Sequence, residues 1–146
     1  MGIFKKLMGR FEKVDPNENR NTLSALLNTP DETEYFRRRD IRDNANAATL
    51  AYLPFFGLLS LFQAKRSPFV RYHMNQGLIL FIVEIVWWIV ELLLSKLFNH
   101  FLLYFLTFLL ALFNLVILYL IAKGMKNASK GIARELPLIG HFQILP

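Results

Sequence analysis

Two long runs of apolar residues dominate the second half of the chain. Residues 97–122 contain no Asp, Glu, Lys or Arg over 26 positions, more than the about 20 residues that a membrane-spanning helix requires. Residues 78–94 are almost as apolar and are interrupted only by Glu84 and Glu91. The runs are joined by a short polar turn around Asn99, which predicts that they form an antiparallel pair of spanning helices.

An earlier apolar segment, residues 45–64, is less regular. Its strongly apolar part, 49–62, is 14 residues long and contains Pro54 and Gly57. A segment of this length fits a re-entrant or kinked element as well as a third span. The sequence therefore predicts an all-α integral membrane protein with a compact bundle over residues 45–142. Two spanning helices, about 68–98 and 100–124, pack with a Pro- and Gly-broken first segment that is either re-entrant or a third span.

The first 44 residues differ from the rest and form a polar N-terminal tail. Apolar residues recur there at helical spacing while basic residues occupy the other face, which predicts an amphipathic helix over about 2–14 that lies in the membrane interface. A linker follows it. The apolar positions of this helix are Ile3, Phe4, Leu7, Met8 and Phe11.

The distribution of charge bears on topology. Residues 1–44 carry nine Lys/Arg and eight Asp/Glu, whereas residues 45–146 carry eight Lys/Arg and only three Asp/Glu. Under the positive-inside rule a re-entrant first segment would leave every basic cluster on the cytoplasmic side, with both termini. We expect a location in the cytoplasmic membrane, a basic C-terminal tail over 123–146, and contacts with anionic lipid headgroups. The basic residues expected to face lipid are Lys5, Lys6, Arg10, Lys65, Arg66, Lys123 and Lys126.

Composition argues against several function classes. The chain is 54% apolar and 14% aromatic, which is too much for the surface of a small soluble domain. It has no Cys, and no phosphate loop, nucleophile elbow or metal-ligand spacing is present. The basic residues lie beside apolar runs, without the separate patch that nucleic acid requires. We expect no enzyme activity, no cofactor, no metal and no nucleic-acid partner.

Polar side chains within the apolar runs need partners, because a charge at the centre of a membrane helix costs about 2.5–3.5 kcal/mol. Glu84 and Glu91 share one face of their helix, and Tyr104, Thr107 and Asn114 share a face of the next. The two faces predict an intramembrane polar seam. It would act either as a proton or cation path, or as hydrogen-bonding contacts within or between subunits.

A short motif precedes the second run. Residues 67–77 read Ser-Pro-Phe-Val-Arg-Tyr-His-Met-Asn-Gln-Gly, and Ser67 followed by Pro68 is typical of a helix start. The motif resembles that of small bacterial membrane proteins similar to the chloroplast inner-envelope protein-import component, a family that includes magnetosome membrane proteins. Residues 51–57 and 135–140 also resemble this family. The motif positions singled out are Ser67, Pro68, Arg71, Tyr72, His73, Asn75 and Gln76.

The resemblance implies a compact membrane body of three or four helices and brings no catalytic residues. Two roles are open for the motif: a binding mouth for lipid phosphate at the cytoplasmic surface, or a structural joint in which Asn75 and Gln76 bond to the backbone broken at Pro54. For the whole protein we expect a small structural or interaction subunit, self-associating or part of a larger transport or protein-translocation assembly. The alternative is a small oligomeric channel or proton-coupled carrier that uses Glu84 and Glu91.

Overall fold

The computed structural model describes residues 29–97, 100–140, 142, 144 and 145. The predicted amphipathic helix, with Lys5, Lys6 and Arg10, lies outside the described residues. The described part is all-helical and contains no strand, only one isolated bridge between Asp31 and Arg134. After a short 3-10 turn at Thr33–Tyr35, its helices are α1 (Arg38–Leu50), α2 (Gly57–Ala64), α3 (Pro68–Leu97) and α4 (His100–Ser129).

Helices α1 and α2 form an antiparallel hairpin, because Pro54 and Gly57 prevent one continuous helix through residues 51–56. The Ser60 hydroxyl donates to the Ala47 carbonyl at 2.7 Å. One turn farther from the tip, Gln63 Nε2 donates to Asn44 Oδ1 at 2.6 Å. The hairpin is therefore held together by polar side chains, and its two free ends lie side by side.

The hairpin packs along the first turns of α3. At its open end the Asp40 carboxylate accepts the Phe69 backbone N–H at 3.1 Å, and the Ser67 hydroxyl accepts that of Val70 at 3.1 Å. Both acceptors satisfy donors that a helix start leaves free. At the hairpin tip, Gly77 contacts the Ala51 carbonyl so closely that a Cβ would overlap it. Since α3 rises about 12 Å from Phe69 to Gly77, the hairpin lies beside only that part of the helix.

Helices α3 and α4 are both long and apolar enough to cross a membrane. They run antiparallel, with Trp87 stacked on Phe113 at 4.1 Å between ring centroids. Only 11% of the most apolar stretch of each helix is buried. A soluble core helix would be mostly covered, so these outward-facing apolar surfaces are compatible with a membrane location. Helix α4 also continues to Ser129, five residues past the predicted end at 124.

The chain turns back after α4 and covers the start of α3. Gly131 adopts a left-handed conformation (φ 71°), and the N–H groups of Gly131 and Ile132 bond to the carbonyls of Ala128 and Asn127, which is a Schellman ending. The returning segment bonds to residue 32, whose N–H donates to the Ala133 carbonyl at 2.7 Å. The buried core thus lies at one end of the molecule, where the hairpin, both long helices and the C-terminal segment meet.

Candidate functional site

The 67–77 motif lies inside this packed end. Ser67, His73 and Gln76 are at most 1% exposed and Asn75 is 7% exposed. Aromatic rings surround the imidazole: the centroid of Phe69 lies 4.7 Å from that of His73, and those of Tyr72 and Tyr52 lie at 5.3 and 5.8 Å. Most of the motif is therefore inaccessible to a partner approaching from solvent. Of its more open members, Pro68 is exposed, and Arg71 and Tyr72 are half-buried.

A buried hydrogen-bond network joins the hairpin tip to α3. The Tyr52 hydroxyl lies 2.9 Å from His73 Nδ1 and 3.4 Å from Gln76 Oε1. The ring of Tyr52 reaches this position because Gly124 has no side chain, and a Cβ there would overlap it. The Tyr52 side chain thereby connects the tip of the α1–α2 hairpin with both α3 and α4.

The two amides of the motif bind the C-terminal segment. Gln76 Oε1 accepts the Leu136 N–H at 3.1 Å. Asn75 Oδ1 accepts the N–H groups of Ile144 and Leu145 at 2.8 and 2.6 Å, and its Nδ2 donates to the Leu145 carbonyl at 3.3 Å. These bonds join residues 60 to 70 positions apart in the chain. The two amides do bond to backbone groups, as the joint hypothesis expects. These groups belong to the C-terminal segment and not to the backbone around Pro54.

A second link closes the same end from the N-terminal side. The Thr33 hydroxyl accepts the Ala133 N–H at 2.8 Å, and Arg134 lies 3.7 Å from the Asp31 carboxylate. Hydrogen bonds from the Thr33 hydroxyl and then from its backbone N–H lower the pKa of the Asp31 carboxyl, and the charge of Arg134 acts in the same direction. Residues 31–33 and 133–134 therefore form a small polar clasp.

The basic residues fall into different surroundings. Lys65 and Arg71 line one apolar groove with leucine and phenylalanine side chains, whereas the neighbouring Arg66 is exposed and does not line it. Lys123 Nζ lies 5.8 Å from the centroid of the Tyr119 ring, and Lys126 is exposed near the end of α4. Of these cations, Lys65 and Arg71 are the pair that shares a concave site.

The predicted polar seam is brought together in part. Asn114 Nδ2 donates to Glu91 Oε1 at 3.3 Å, and both side chains are half-buried between α3 and α4. Tyr104 and Thr107 lie on exposed surface of α4. Glu84 instead lines a cavity of about 20 Å³ between α3 and the hairpin tip, with Tyr52 and Gly77 among its neighbours. The two glutamates thus face different environments.

Several residues that build this end were not predicted as site residues from the sequence: Tyr52, Asp40, Asn44 and Gln63. The apolar run around Tyr52 and the two Asn residues in the middle of α1 were visible, but nothing in the local pattern specifies partners so distant in the chain. Trp87, which packs inward, and Trp88, which is 73% exposed, also cannot be told apart by composition. Among the described residues no three His, Cys, Asp or Glu side chains come together as a metal-binding group.

Comparison of the chain with protein-family models, with curated proteins and with solved structures finds no match. The candidate site therefore rests on its own geometry.

Proposed function

We propose that this protein is a small multi-pass subunit of the cytoplasmic membrane that acts by lateral association of its helices with a second copy or with a larger assembly. The observation that carries the proposal is the half-open polar seam. Glu91 and Asn114 bond to each other within the most apolar part of the molecule, yet both stay partly exposed, and Thr107 lies exposed on the same helix. An additional helix placed there would remove the Glu91 carboxyl from lipid and add hydrogen-bond partners.

The proposed topology has both termini in the cytoplasm and a re-entrant first segment. Support comes from the hairpin of α1 and α2, whose open end lies next to the start of α3 through the bond of Asp40 to Phe69. The end of α4 lies at the same end of the molecule, where Arg134 pairs with Asp31. All three basic groups, residues 37–42, 65–71 and 123–134, then fall on one side, as the positive-inside rule requires.

The exposed surface of the hairpin suits this placement. Phe55 is 83% exposed and Phe62 is 74% exposed, and Leu58 and Leu59 are more than half exposed. These side chains surround the tip and the outer face of α2, so burying them in acyl chains removes apolar area from water. The predicted amphipathic helix over 2–14 would add a second interfacial contact.

A channel or proton carrier is the less favoured alternative. Glu84 and Glu91 lie seven residues apart, which is about 10 Å along α3. The cavity beside Glu84 has a volume of about 20 Å³, enough for about one water molecule. The contact of Glu91 with Asn114 favours a role in helix association. The resemblance of the motif to import-component-like proteins makes a transport or translocation assembly the kind of partner that we propose.

Cysteine cross-linking tests the proposal in a chain that has no native Cys. Thr107→Cys places a thiol on the seam, and Leu109→Cys places one at nearly the same depth on the opposite side of α4. In native membranes we expect a discrete cross-linked product from Thr107→Cys, at twice the chain mass for a second copy or at another mass for a different partner. Monomer alone, or equal products from both variants, would contradict association through the seam.

The alternative is tested separately by flux. Glu84→Gln and Glu91→Gln together would abolish proton flux in proteoliposomes if the carboxyls carry protons. If wild-type and variant proteins show the same flux, the carrier function is excluded.

A further inference from the structure

The described part of the molecule is wider at its packed end than at the opposite end. At the packed end α1, α2, α3 and α4 lie side by side, and beyond the hairpin tip only α3 and α4 of the described helices continue. An α-helix with its side chains is about 10–12 Å across, so the two hairpin helices add a cross-section of roughly 200 Å². This added area is confined to one end, and the four helices together therefore form a wedge.

The depth of the hairpin along α3 assigns it to one leaflet. Helix α3 has 30 residues and is therefore about 45 Å long, close to the thickness of a bilayer with its headgroups, about 40–45 Å. The hairpin lies beside only the first turns of α3, as far as the contact of Gly77 with the Ala51 carbonyl. With the two ends of α3 at the two membrane surfaces, the hairpin occupies the headgroup and upper acyl region of the cytoplasmic leaflet. Of the described helices, the other leaflet then contains α3 and α4.

The hairpin has the surface and the rigidity that insertion into one leaflet requires. Its apolar side chains face outward: Phe55 is 83%, Leu59 61% and Phe62 74% exposed. Its polar side chains instead bond between α1 and α2, as the Ser60 hydroxyl does to the Ala47 carbonyl. Because these bonds fix the two helices against each other, the inserted cross-section keeps its width.

We propose that this hairpin makes the protein favour membrane that is convex toward the cytoplasm. In such membrane the surface of the cytoplasmic leaflet is expanded, so the hairpin fills space that lipid headgroups leave open. Membrane of the opposite curvature compresses the same leaflet and disfavours the hairpin. Binding of interfacial amphipathic helices depends on curvature in the same way. The inference rests on the membrane placement proposed above and not on the partner at the seam.

The test compares the two orientations of the full-length protein in vesicles of different size. Ser129 is exposed at the end of α4, and Ser129→Cys gives a chain without native Cys one site for a fluorophore. A membrane-impermeant quencher added outside then separates copies whose packed end faces outward from those whose packed end faces inward. Since the outer leaflet of a vesicle is convex, we expect the ratio of outward to inward copies to rise from large to small vesicles of one lipid mixture. An equal ratio in both sizes would overturn the proposal.

A matched pair of variants tests whether the hairpin is the source of this preference. Phe55→Glu and Leu97→Glu each place a carboxyl on an apolar side chain that is at least three-quarters exposed, at 83% and 76%. Only Phe55 lies at the hairpin tip, where a charge opposes insertion into the leaflet. We expect Phe55→Glu to lose the rise of the ratio in small vesicles and Leu97→Glu to keep it. Equal behaviour of the two variants would contradict a wedge formed by the hairpin.

Two further measurements separate this inference from its alternatives. A fluorophore at Phe55→Cys should be quenched by lipids that carry a quencher on the acyl chain. If it stays in water, the membrane placement of the hairpin is wrong; if it is quenched but the ratio of orientations does not change with vesicle size, only the curvature preference is wrong. Leu7→Glu disrupts the apolar face of the predicted N-terminal helix. Loss of the preference in Leu7→Glu but not in Phe55→Glu would assign it to the N-terminal tail and overturn the role of the hairpin.

Discussion

Replacing Gln76 tests whether the motif holds the packed end together. Gln76 is 1% exposed, and its Oε1 accepts the N–H of Leu136, which is also 1% exposed. In Gln76→Leu that N–H stays buried without an acceptor, which costs about 1–3 kcal/mol. The contact of Oε1 with Tyr52 is long, at 3.4 Å, so its loss adds little.

Part of this cost is offset. Gln76 Nε2 lies near the Tyr72 hydroxyl but meets no partner with hydrogen-bond geometry among the described residues. Leucine removes this buried donor and keeps a similar volume. We therefore expect a net loss of about 1–2 kcal/mol, which corresponds to a fall in melting temperature of roughly 3–8 °C for a chain of this size.

Gln63→Leu is the matched control. It deletes the same amide and adds the same leucine, but the Gln63 side chain is half-buried and bonds to the Asn44 side chain, a contact that water can replace. Because this bond helps to hold α1 and α2 together, its loss should cost about 0.5–1 kcal/mol, but it should leave the Leu136 amide as protected as in the wild type. Melting in detergent gives the global effect, and hydrogen exchange at the Leu136 amide gives the local one. If the Leu136 amide stays as protected in Gln76→Leu as in the wild type, the proposed role of Gln76 is wrong.

Two further variants address the segments that close over the start of α3. Asn75→Ala removes the bonds that hold Leu145. Amide exchange at positions 144 and 145 should therefore rise at least about ten-fold, consistent with about 1.5 kcal/mol of lost bonding. In Asn75→Asp, which keeps the acceptor, the exchange should rise less. Unchanged exchange in the alanine variant would contradict the contact. Asp31→Asn probes the clasp with Arg134. Because the pKa of folded Asp31 is lowered from 3.8, its contribution is present above that pH and is lost as pH falls through the folded value. At pH near 6 the wild type should therefore have a higher free energy of unfolding than Asp31→Asn, by less than about 1 kcal/mol for so exposed a pair. This difference should disappear as the pH falls below 3.8. A gap that is independent of pH would rule out the carboxylate as its source.

Much of the architecture could be predicted from local pattern. An apolar run either reaches the length of a spanning helix or does not, since each residue adds about 1.5 Å whatever it packs against. The start of α3 at Pro68 could be predicted in the same way, because Ser67 caps the helix and Pro68 fits its first position without help from distant residues. The asymmetry of charge along the chain is also independent of folding.

The partners of the polar side chains were decided by the tertiary structure. An amide offers the same donors and acceptors wherever it lies, so nothing at Asn75 or Gln76 specifies bonds to a segment 60 to 70 residues away. Pro54 and Gly57 break the first apolar segment, but its length was compatible with two paths, and the antiparallel packing of α1 on α2 depends on side-chain pairs that form only once both helices exist. Adjacent residues of the same charge, such as Lys65 and Arg66, have different surroundings because the fold places only Lys65 in the groove. Sequence thus determined which elements form, through length, spacing and local capping, and tertiary contact determined which of their polar groups meet.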